Sequence, residues 1–281
     1  MSAARSLALV RLFARQELTL AVRSRWTPIF AVVFTALSLA VGLSGYILTG
    51  GVGMQDFART AVSMVHLVLL LVPLTALLIG VMALTPERGS AELLFAQPVP
   101  RAVVLVGKLL GLFQALAAAQ LIGFGAAGLT VFYYVGQEGV GGFLLLVAGS
   151  LALTGVFLGV AALVAVGNIG RRARALALAL VVWFVAVILF DVAALGLATF
   201  LKSGQASRLL VAAVIINPVD AVRTATLLGI EGSAAFGAAS LAFFRIVGGS
   251  TWAAAWLAGS VAAWLVVPAA LAVRRLERAD L

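Results

Sequence analysis

Cysteine is absent from this 281-residue sequence, and histidine occurs once. Without cysteine the chain can form no disulfide, iron–sulfur cluster or catalytic thiol. A single histidine excludes multi-histidine metal sites and most catalytic triads. The sequence also contains neither a G-x-x-x-x-G-K-[ST] phosphate loop nor an H-E-x-x-H zinc motif, so it cannot bind ATP through a P-loop. We therefore expect a chain that is not an enzyme, binds no cofactor and draws energy from a partner or a gradient.

Charged residues are scarce as well. They make up 10% of the chain, hydrophobic residues make up 64%, and the mean hydropathy is +1.19. A soluble domain has about 25% charged and about 45–50% apolar residues, so lipid must cover much of this surface. The net charge of +9 does not indicate nucleic acid, because the basic residues form short clusters at the ends of apolar runs, as in membrane proteins.

Six stretches are apolar over the roughly twenty residues that a helix needs to cross a bilayer core. They predict an all-α membrane protein whose transmembrane domain occupies residues 28–281. The predicted spans are about 28–49, 61–84, 109–135, 142–166, 175–201 and 251–273.

The basic residues predict the orientation of these spans. Arginine and lysine are enriched in cytoplasmic segments, and fourteen of the nineteen lie in the two terminal segments and in the connectors after spans two and four. Both termini are therefore predicted to be cytoplasmic. The fourteen are Arg5, Arg11, Arg15, Arg23, Arg25, Arg88, Arg101, Lys108, Arg171, Arg172, Arg174, Arg274, Arg275 and Arg278.

Residues 1–27 contain five of these arginines, and they do not resemble a cleavable signal, because the first long apolar run begins only near Pro28. On a helical wheel Leu9, Val10, Phe13 and Leu20 share an arc of roughly 100° that holds no arginine. We predict an amphipathic helix on the cytoplasmic surface, with its arginines near lipid phosphates. A solvated basic leader is the alternative.

The connector after the second span is too polar to lie in lipid. Thr85 can cap a short helix whose first residue is proline, and the prolines at positions 98 and 100 end it. The predicted helix covers residues 87–97. Its Leu93, Leu94 and Phe95 are consecutive and cannot all face one way, so at least one points away from the membrane or into a protein partner.

The outer connector, residues 202–250, has an apolar run of only eight residues, Leu209–Ile216, ended by Asn217 and Pro218. Eight helical residues cover about 12 Å, well short of a bilayer core of about 30 Å. We predict a re-entrant or interfacial hairpin here. Residues 229–249 are rich in glycine, alanine and serine, and we expect them to be partly irregular.

Two polar residues inside the spans have alternative interpretations. Asp191 either serves a proton-coupled carrier, snorkels towards the outer interface, or pairs with Lys202 or Arg208. His66 lies two residues from Met64, and the pair could begin a soft-metal path. Residues i and i+2 point about 200° apart on a helix, however, so Met64 and His66 are weak metal candidates. A hydrogen bond between helices is the favoured role of His66.

One glycine motif also needs an interpretation. Residues 123–128 match G-x-G-x-x-G, but they lie inside a span with no preceding strand. The dinucleotide-binding interpretation therefore fails, and close helix packing is favoured.

The connector after the second span resembles the coupling-helix loop of ABC-2 type permeases. The resemblance rests on residues 87–101 and on Gly107 with Lys108, and it extends over essentially the whole chain. The residues that correspond to the ATPase-coupling positions are Glu87, Arg88, Gly89, Glu92, Leu93, Leu94, Gln97 and Arg101. Within the family, the chain is most similar to the permeases of nitrous oxide reductase maturation, whose outer motif is matched by Asn217, Pro218, Asp220 and Arg223.

The resemblance implies a homodimeric permease in the bacterial inner membrane. Each half would dock a separate ATPase subunit, NosF-like in this subgroup, which binds ATP and Mg. A NosD-like periplasmic repeat protein would engage the outer loops, and the cargo would be a sulfur or copper species for the copper sites of the reductase. The alternatives are a generic ABC-2 exporter of lipid or drug and a proton-coupled secondary carrier.

Overall fold

The computed structural model of the chain describes residues 3–49, 54–85, 99–135, 140–232 and 238–278. Within these ranges every regular element is a helix. The helices are α1 Ala3–Arg23, α2 Trp26–Thr49, α3 Met54–Leu84, α4 Arg101–Val135, α5 Val140–Val166, α6 Arg172–Phe184, α7 Phe190–Thr199, α8 Ser203–Ile216, α9 Pro218–Glu231, α10 Ala238–Val247 and α11 Ser250–Glu277. A π-helical turn, Val185–Leu189, joins α6 to α7.

Six helical segments of the described chain are long and apolar enough to cross a membrane. They lie in α2, α3, α4, α5, the continuous α6–α7 helix and α11, which confirms the predicted all-α fold with six candidate spans. The bent pair α8–α9 passes the same test as one broken span or as a re-entrant loop. The third span begins earlier than predicted, at Arg101, because α4 runs for 35 residues. A helix of that length is about 52 Å long, so α4 projects beyond the bilayer core.

Helices α4 and α5 form the centre of the bundle. Helix α4 packs along α1 and α2, while α5 packs against α3, α9 and α11. Their contact faces contain fully buried side chains such as Phe34, Leu77, Leu112 and Phe157. The α6–α7 helix lies at the periphery, with most of its side chains exposed.

Two of the three glycines of the α4 motif pack against neighbouring helices, as predicted, whereas a Cβ on Gly125 would meet no atom within 4 Å. A Cβ on Gly123 would lie 2.6 Å from the ring of Phe34, and one on Gly128 would lie 2.8 Å from that of Phe143. Small residues at these positions let helices in a membrane approach closely.

A buried polar network joins the middle of α4 to α5. Gln120 Nε2 donates to Thr154 Oγ1 at 2.7 Å, and Ser150 Oγ donates to Gln120 Oε1 at 2.6 Å. All three residues are almost fully buried. Because buried polar groups need partners, the network fixes the register of the two helices.

We expect Gln120→Leu to destabilise the chain by about 1–2 kcal/mol, because it leaves the buried hydroxyl of Ser150 without its acceptor. The matched control is Gln114→Leu, which changes an exposed glutamine of the same helix. Denaturation of both variants in detergent micelles measures the difference. Equal stabilities of the two variants would show that the network contributes nothing.

The outer connector is more helical than predicted. Helix α8 has 14 residues rather than eight, and α9 follows at once with a bend of 102° between them. Of residues 229–249, which we expected to be partly irregular, Ala238–Val247 form the helix α10. Helix α10 ends at Gly248 and Gly249, which adopt the positive φ angles that glycine tolerates.

Candidate functional site

Most basic residues of the described chain lie at one end of the bundle, which we call the basic end. Helices α4 and α6 begin there, α3 and α11 finish there, and α1 packs along the first turns of α4. The predicted coupling segment, residues 87–97, connects α3 to α4 at this end. It lies outside the described residues, as do seven of its predicted ATPase-coupling residues: Glu87, Arg88, Gly89, Glu92, Leu93, Leu94 and Gln97.

Helix α1 lies very close to the first turns of α4. Gly107 faces the Val10 carbonyl and Phe13, where an added Cβ would meet Phe13 Cβ at 2.6 Å. One turn later, a Cβ on Gly111 would collide with the Ala14 carbonyl and lie 2.8 Å from Glu17 Cβ. The spacing of four residues places both glycines on one face of α4. We call this contact the α1–α4 seam.

An ion pair closes the same seam. Lys108 Nζ lies 3.3 Å from Glu17 Oε2, and only 7% of the Glu17 side chain is exposed. A glutamate is rarely buried so deeply without a partner. The glycines and this ion pair together bind α1 to the helix that emerges directly from the predicted coupling segment.

The predicted apolar arc of α1 is only partly the buried one. Val10 and Phe13 face α4, but Leu20 is 55% exposed. The buried positions are instead Ala14, Glu17 and Ala21. The close approach of α1 to the glycines of α4 favours small residues on α1, and the ion pair with Lys108 brings Glu17 into the contact. Hydrophobicity alone therefore does not predict which face of α1 contacts α4.

Arg101, the remaining coupling residue, is the first residue of α4. Its Nη1 donates to the Leu276 carbonyl at 3.0 Å. That carbonyl belongs to the last turn of α11, and it also accepts from the backbone amide of Arg278, which caps the helix. Arg101 therefore ties the start of α4 to the end of the last span.

The predicted outer motif lies at the other end of the bundle, where α9 meets the π-helical turn. Asn217 Oδ1 caps α9 by accepting from the Val219 amide at 3.0 Å, and its Nδ2 donates to the Ala186 carbonyl at 2.8 Å. Pro218 occupies the first helical position, where a missing N–H costs nothing. The π-helical turn disturbs the regular hydrogen bonding of its helix, and Asn217 supplies a partner there.

The charged residues of the motif fasten α9 to α7. Arg223 Nη1 donates to Asp191 Oδ2 at 2.7 Å and lies 3.0 Å from Asp220 Oδ1, without the alignment of a hydrogen bond. The predicted partners of Asp191, Lys202 and Arg208, are therefore wrong. The actual partner is 32 residues away in sequence and reaches Asp191 only because α9 folds back beside α7.

We expect Arg223→Met to destabilise the chain by about 1–3 kcal/mol, because it leaves the carboxylates of Asp191 and Asp220 without their cation. Arg208→Met provides the control, since Arg208 is an exposed arginine of neighbouring α8. Unfolding of the purified variants in micelles is the measurement. A loss no larger for Arg223 than for Arg208 would mean that the ion pair does not hold α9.

The structure does not bring the weak metal candidates together. Met64 is buried whereas His66 is exposed on α3. The expected helix–helix hydrogen bond of His66 is wrong as well, because its Nδ1 lies 2.8 Å from the Val62 carbonyl of its own helix. Among the described residues no group of three or more His, Cys, Asp or Glu side chains could hold a metal ion.

A large apolar groove lies between α5, α9 and α11. Its volume is about 710 Å³, and its walls include Leu145, Val222, Phe244 and Leu257. Alanine and glycine line much of the remainder. Ligand pockets commonly have volumes of about 300–1,000 Å³, so the groove can hold an apolar molecule.

Sequence reasoning missed Glu17, Gly111 and Gln120. A signal was present for each of them: Glu17 is the only acidic residue in a basic amphipathic segment, Gly111 follows Gly107 by four positions, and Gln120 lies in the middle of an apolar span. Their partners are distant in sequence, however, and only the tertiary structure identifies them.

Comparisons with known proteins agree with this architecture. The family model described as ABC-2 family transporter protein matches residues 12–281. A protein of Pseudomonas aeruginosa named "Probable ABC transporter permease protein NosY" is 34% identical over 265 residues, 92% of this chain and 94% of the relative. A protein of the same name from Stutzerimonas stutzeri is 34% identical over 236 residues, 81% of this chain and 85% of the relative.

Proposed function

The chain belongs to the ABC-2 transporter family as a permease subunit, and from this membership we propose that a separate ATPase drives it through residues 87–97. The observation that supports the proposal most strongly is the α1–α4 seam. Helix α4 begins four residues after the proposed coupling segment, and α1 is bound to it by Gly107, Gly111 and the Glu17–Lys108 ion pair. A push on the segment would therefore move α1 and α4 together.

The proposal includes an orientation. The basic end faces the cytoplasm, as the enrichment of arginine and lysine in cytoplasmic segments suggests. Both termini are then cytoplasmic, and the α8–α9 pair is a re-entrant hairpin at the outer surface of the bacterial inner membrane. The outer motif, Asn217, Pro218, Asp220 and Arg223, holds that hairpin against α7.

Movement would pass from the seam to the rest of the bundle. Arg101 connects the start of α4 to the end of α11, and the Gln120 network connects the middle of α4 to α5. A homodimer of such chains would rock its two halves as ATP, with Mg, closes and opens the ATPase pair. ATP would be hydrolysed by the ATPase, and this chain would undergo the conformational change that moves the cargo.

The resemblance to NosY suggests the cargo and the partners. We propose that the permease serves nitrous oxide reductase maturation, with a NosF-like ATPase inside and a NosD-like repeat protein outside. It would move a sulfur or copper species for assembly of the copper sites of the reductase.

Complementation tests this assignment. In a denitrifying bacterium that lacks its own NosY, expression of this chain together with its ATPase should restore copper to purified nitrous oxide reductase. The same strain with an ATPase variant that cannot hydrolyse ATP is the control. A reductase that stays copper-deficient although the chain is inserted in the membrane and bound to its ATPase would refute the assignment.

The apolar groove favours a second candidate, an ABC-2 exporter of lipid or drug. Its walls between α5, α9 and α11 suit an apolar molecule better than a sulfur or copper species. Proteoliposomes that contain the chain and its ATPase distinguish the two functions, because only the second predicts ATP-dependent transfer of a labelled lipid or dye.

The proton-coupled carrier gains no support from the position of Asp191. Its carboxylate accepts a hydrogen bond from Arg223 at 2.7 Å, so the structure already gives this side chain a role in holding α9 against α7.

A further inference from the structure

We infer that the cavity between α1, α3, α4 and α6 binds the phosphate of an anionic phospholipid from the leaflet at the basic end. The cavity has a volume of about 300 Å³. Its polar lining includes Glu17, Lys108 and Arg172, and its apolar lining includes Leu20, Met82 and Trp26.

The charges of the cavity match a phosphodiester. Lys108 and Arg172 are cationic and Glu17 is anionic, so the lining has a net charge of +1, equal and opposite to that of phosphatidylglycerol. Glu17 contacts Lys108 at 3.3 Å, but an ammonium group has three donors, so donors remain for a ligand. Within the described chain Arg172 forms no ion pair.

The position of Arg172 adds to the positive electrostatic potential of the cavity. It is the first residue of α6, and no side chain caps that helix. The peptide dipoles of a helix place partial positive charge at its N-terminus, which favours an anion there.

The depth of the cavity suits a lipid headgroup rather than a soluble ligand. Met82 is two residues from the end of α3, Trp26 is the first residue of α2, and Lys108 is seven residues into α4. All three therefore lie near the level where a span leaves the hydrocarbon core, at which tryptophan is enriched. The exposed apolar surface of Leu20 offers a place for the start of an acyl chain.

Native mass spectrometry of the purified full-length chain tests the inference, with phosphatidylglycerol, phosphatidylethanolamine of the same chains, and inorganic phosphate titrated separately. We expect binding of phosphatidylglycerol, and about fivefold weaker binding by Arg172→Gln, from the contribution of one basic residue at a membrane surface. Arg174→Gln is the matched control, because Arg174 is exposed on the same helix but does not line the cavity. It should bind as the unmodified chain does.

Three results would overturn the inference. Equal weakening by both arginine variants would indicate a diffuse surface charge. Equal binding of phosphatidylethanolamine would show that the cavity does not recognise the negative charge of the headgroup. Full competition by inorganic phosphate would show that the bound phosphate does not come from a lipid. Should Arg172→Gln fold poorly, Ala83→Phe fills the cavity from α3 instead and should abolish binding. Neither ATPase nor cargo enters this experiment, so its outcome is independent of the proposed function.

Discussion

The double variant Glu87→Lys, Leu93→Asp should no longer co-purify with its ATPase subunit, although it remains inserted in the membrane. Glu87 and Leu93 lie in the polar connector between α3 and α4 that resembles the coupling helix of ABC-2 permeases. One change reverses a charge and the other places a carboxylate where an apolar contact is proposed. Unpaired charges that become buried in an interface cost roughly 2–5 kcal/mol each, so we expect affinity to fall at least a hundredfold.

Affinity purification of the tagged permease, followed by quantification of bound ATPase, measures this loss. Arg208→Glu is the control, since it reverses an exposed charge on α8, away from the basic end. It should leave the complex intact. An undiminished complex with the double variant would show that docking occurs elsewhere.

The variant Gly111→Leu should bind its ATPase and yet transport at least tenfold more slowly. A side chain at this position would meet the backbone of α1, colliding with the Ala14 carbonyl and lying 2.9 Å from the Leu18 amide nitrogen. Backbone atoms within a helix cannot move aside singly, so α1 must be displaced from α4. This displacement would break the α1–α4 seam, through which we propose that movement passes. Residues 87–97 would be unchanged.

ATP-dependent transport and ATPase binding are measured together in proteoliposomes. Gly125→Leu provides a matched control on the same helix, because a Cβ there meets no atom within 4 Å. It should transport normally. Normal transport by Gly111→Leu would instead show that α1 takes no part in coupling.

The six spans could be predicted from the sequence because lipid imposes a simple condition. Each span must be apolar over about twenty residues, and this pattern is local. The bend at Asn217 and Pro218 was also visible, since a capping residue followed by proline commonly begins a helix.

The ion pairs and seams could not be predicted in this way. Asp191 pairs with Arg223 rather than Lys202 or Arg208 because α9 folds back, and nothing in the local sequence gives the angle of that return. Glu17 lies against Lys108 because two glycines allow a close approach. These contacts depend on how the helices pack against each other. The sequence does not determine this packing, because the apolar surfaces of the helices are similar.

The location of the proposed coupling segment is the central claim, and cysteine labelling tests it directly. The chain contains no cysteine, so Ser90→Cys and Gly204→Cys each introduce a single thiol. Gly204 is exposed on α8, and an added Cβ there meets no atom within 4 Å. With a membrane-impermeant maleimide, we predict that Ser90→Cys reacts only when the cytoplasmic face is accessible, and Gly204→Cys only from outside. Labelling of Ser90→Cys from outside intact cells would contradict the account.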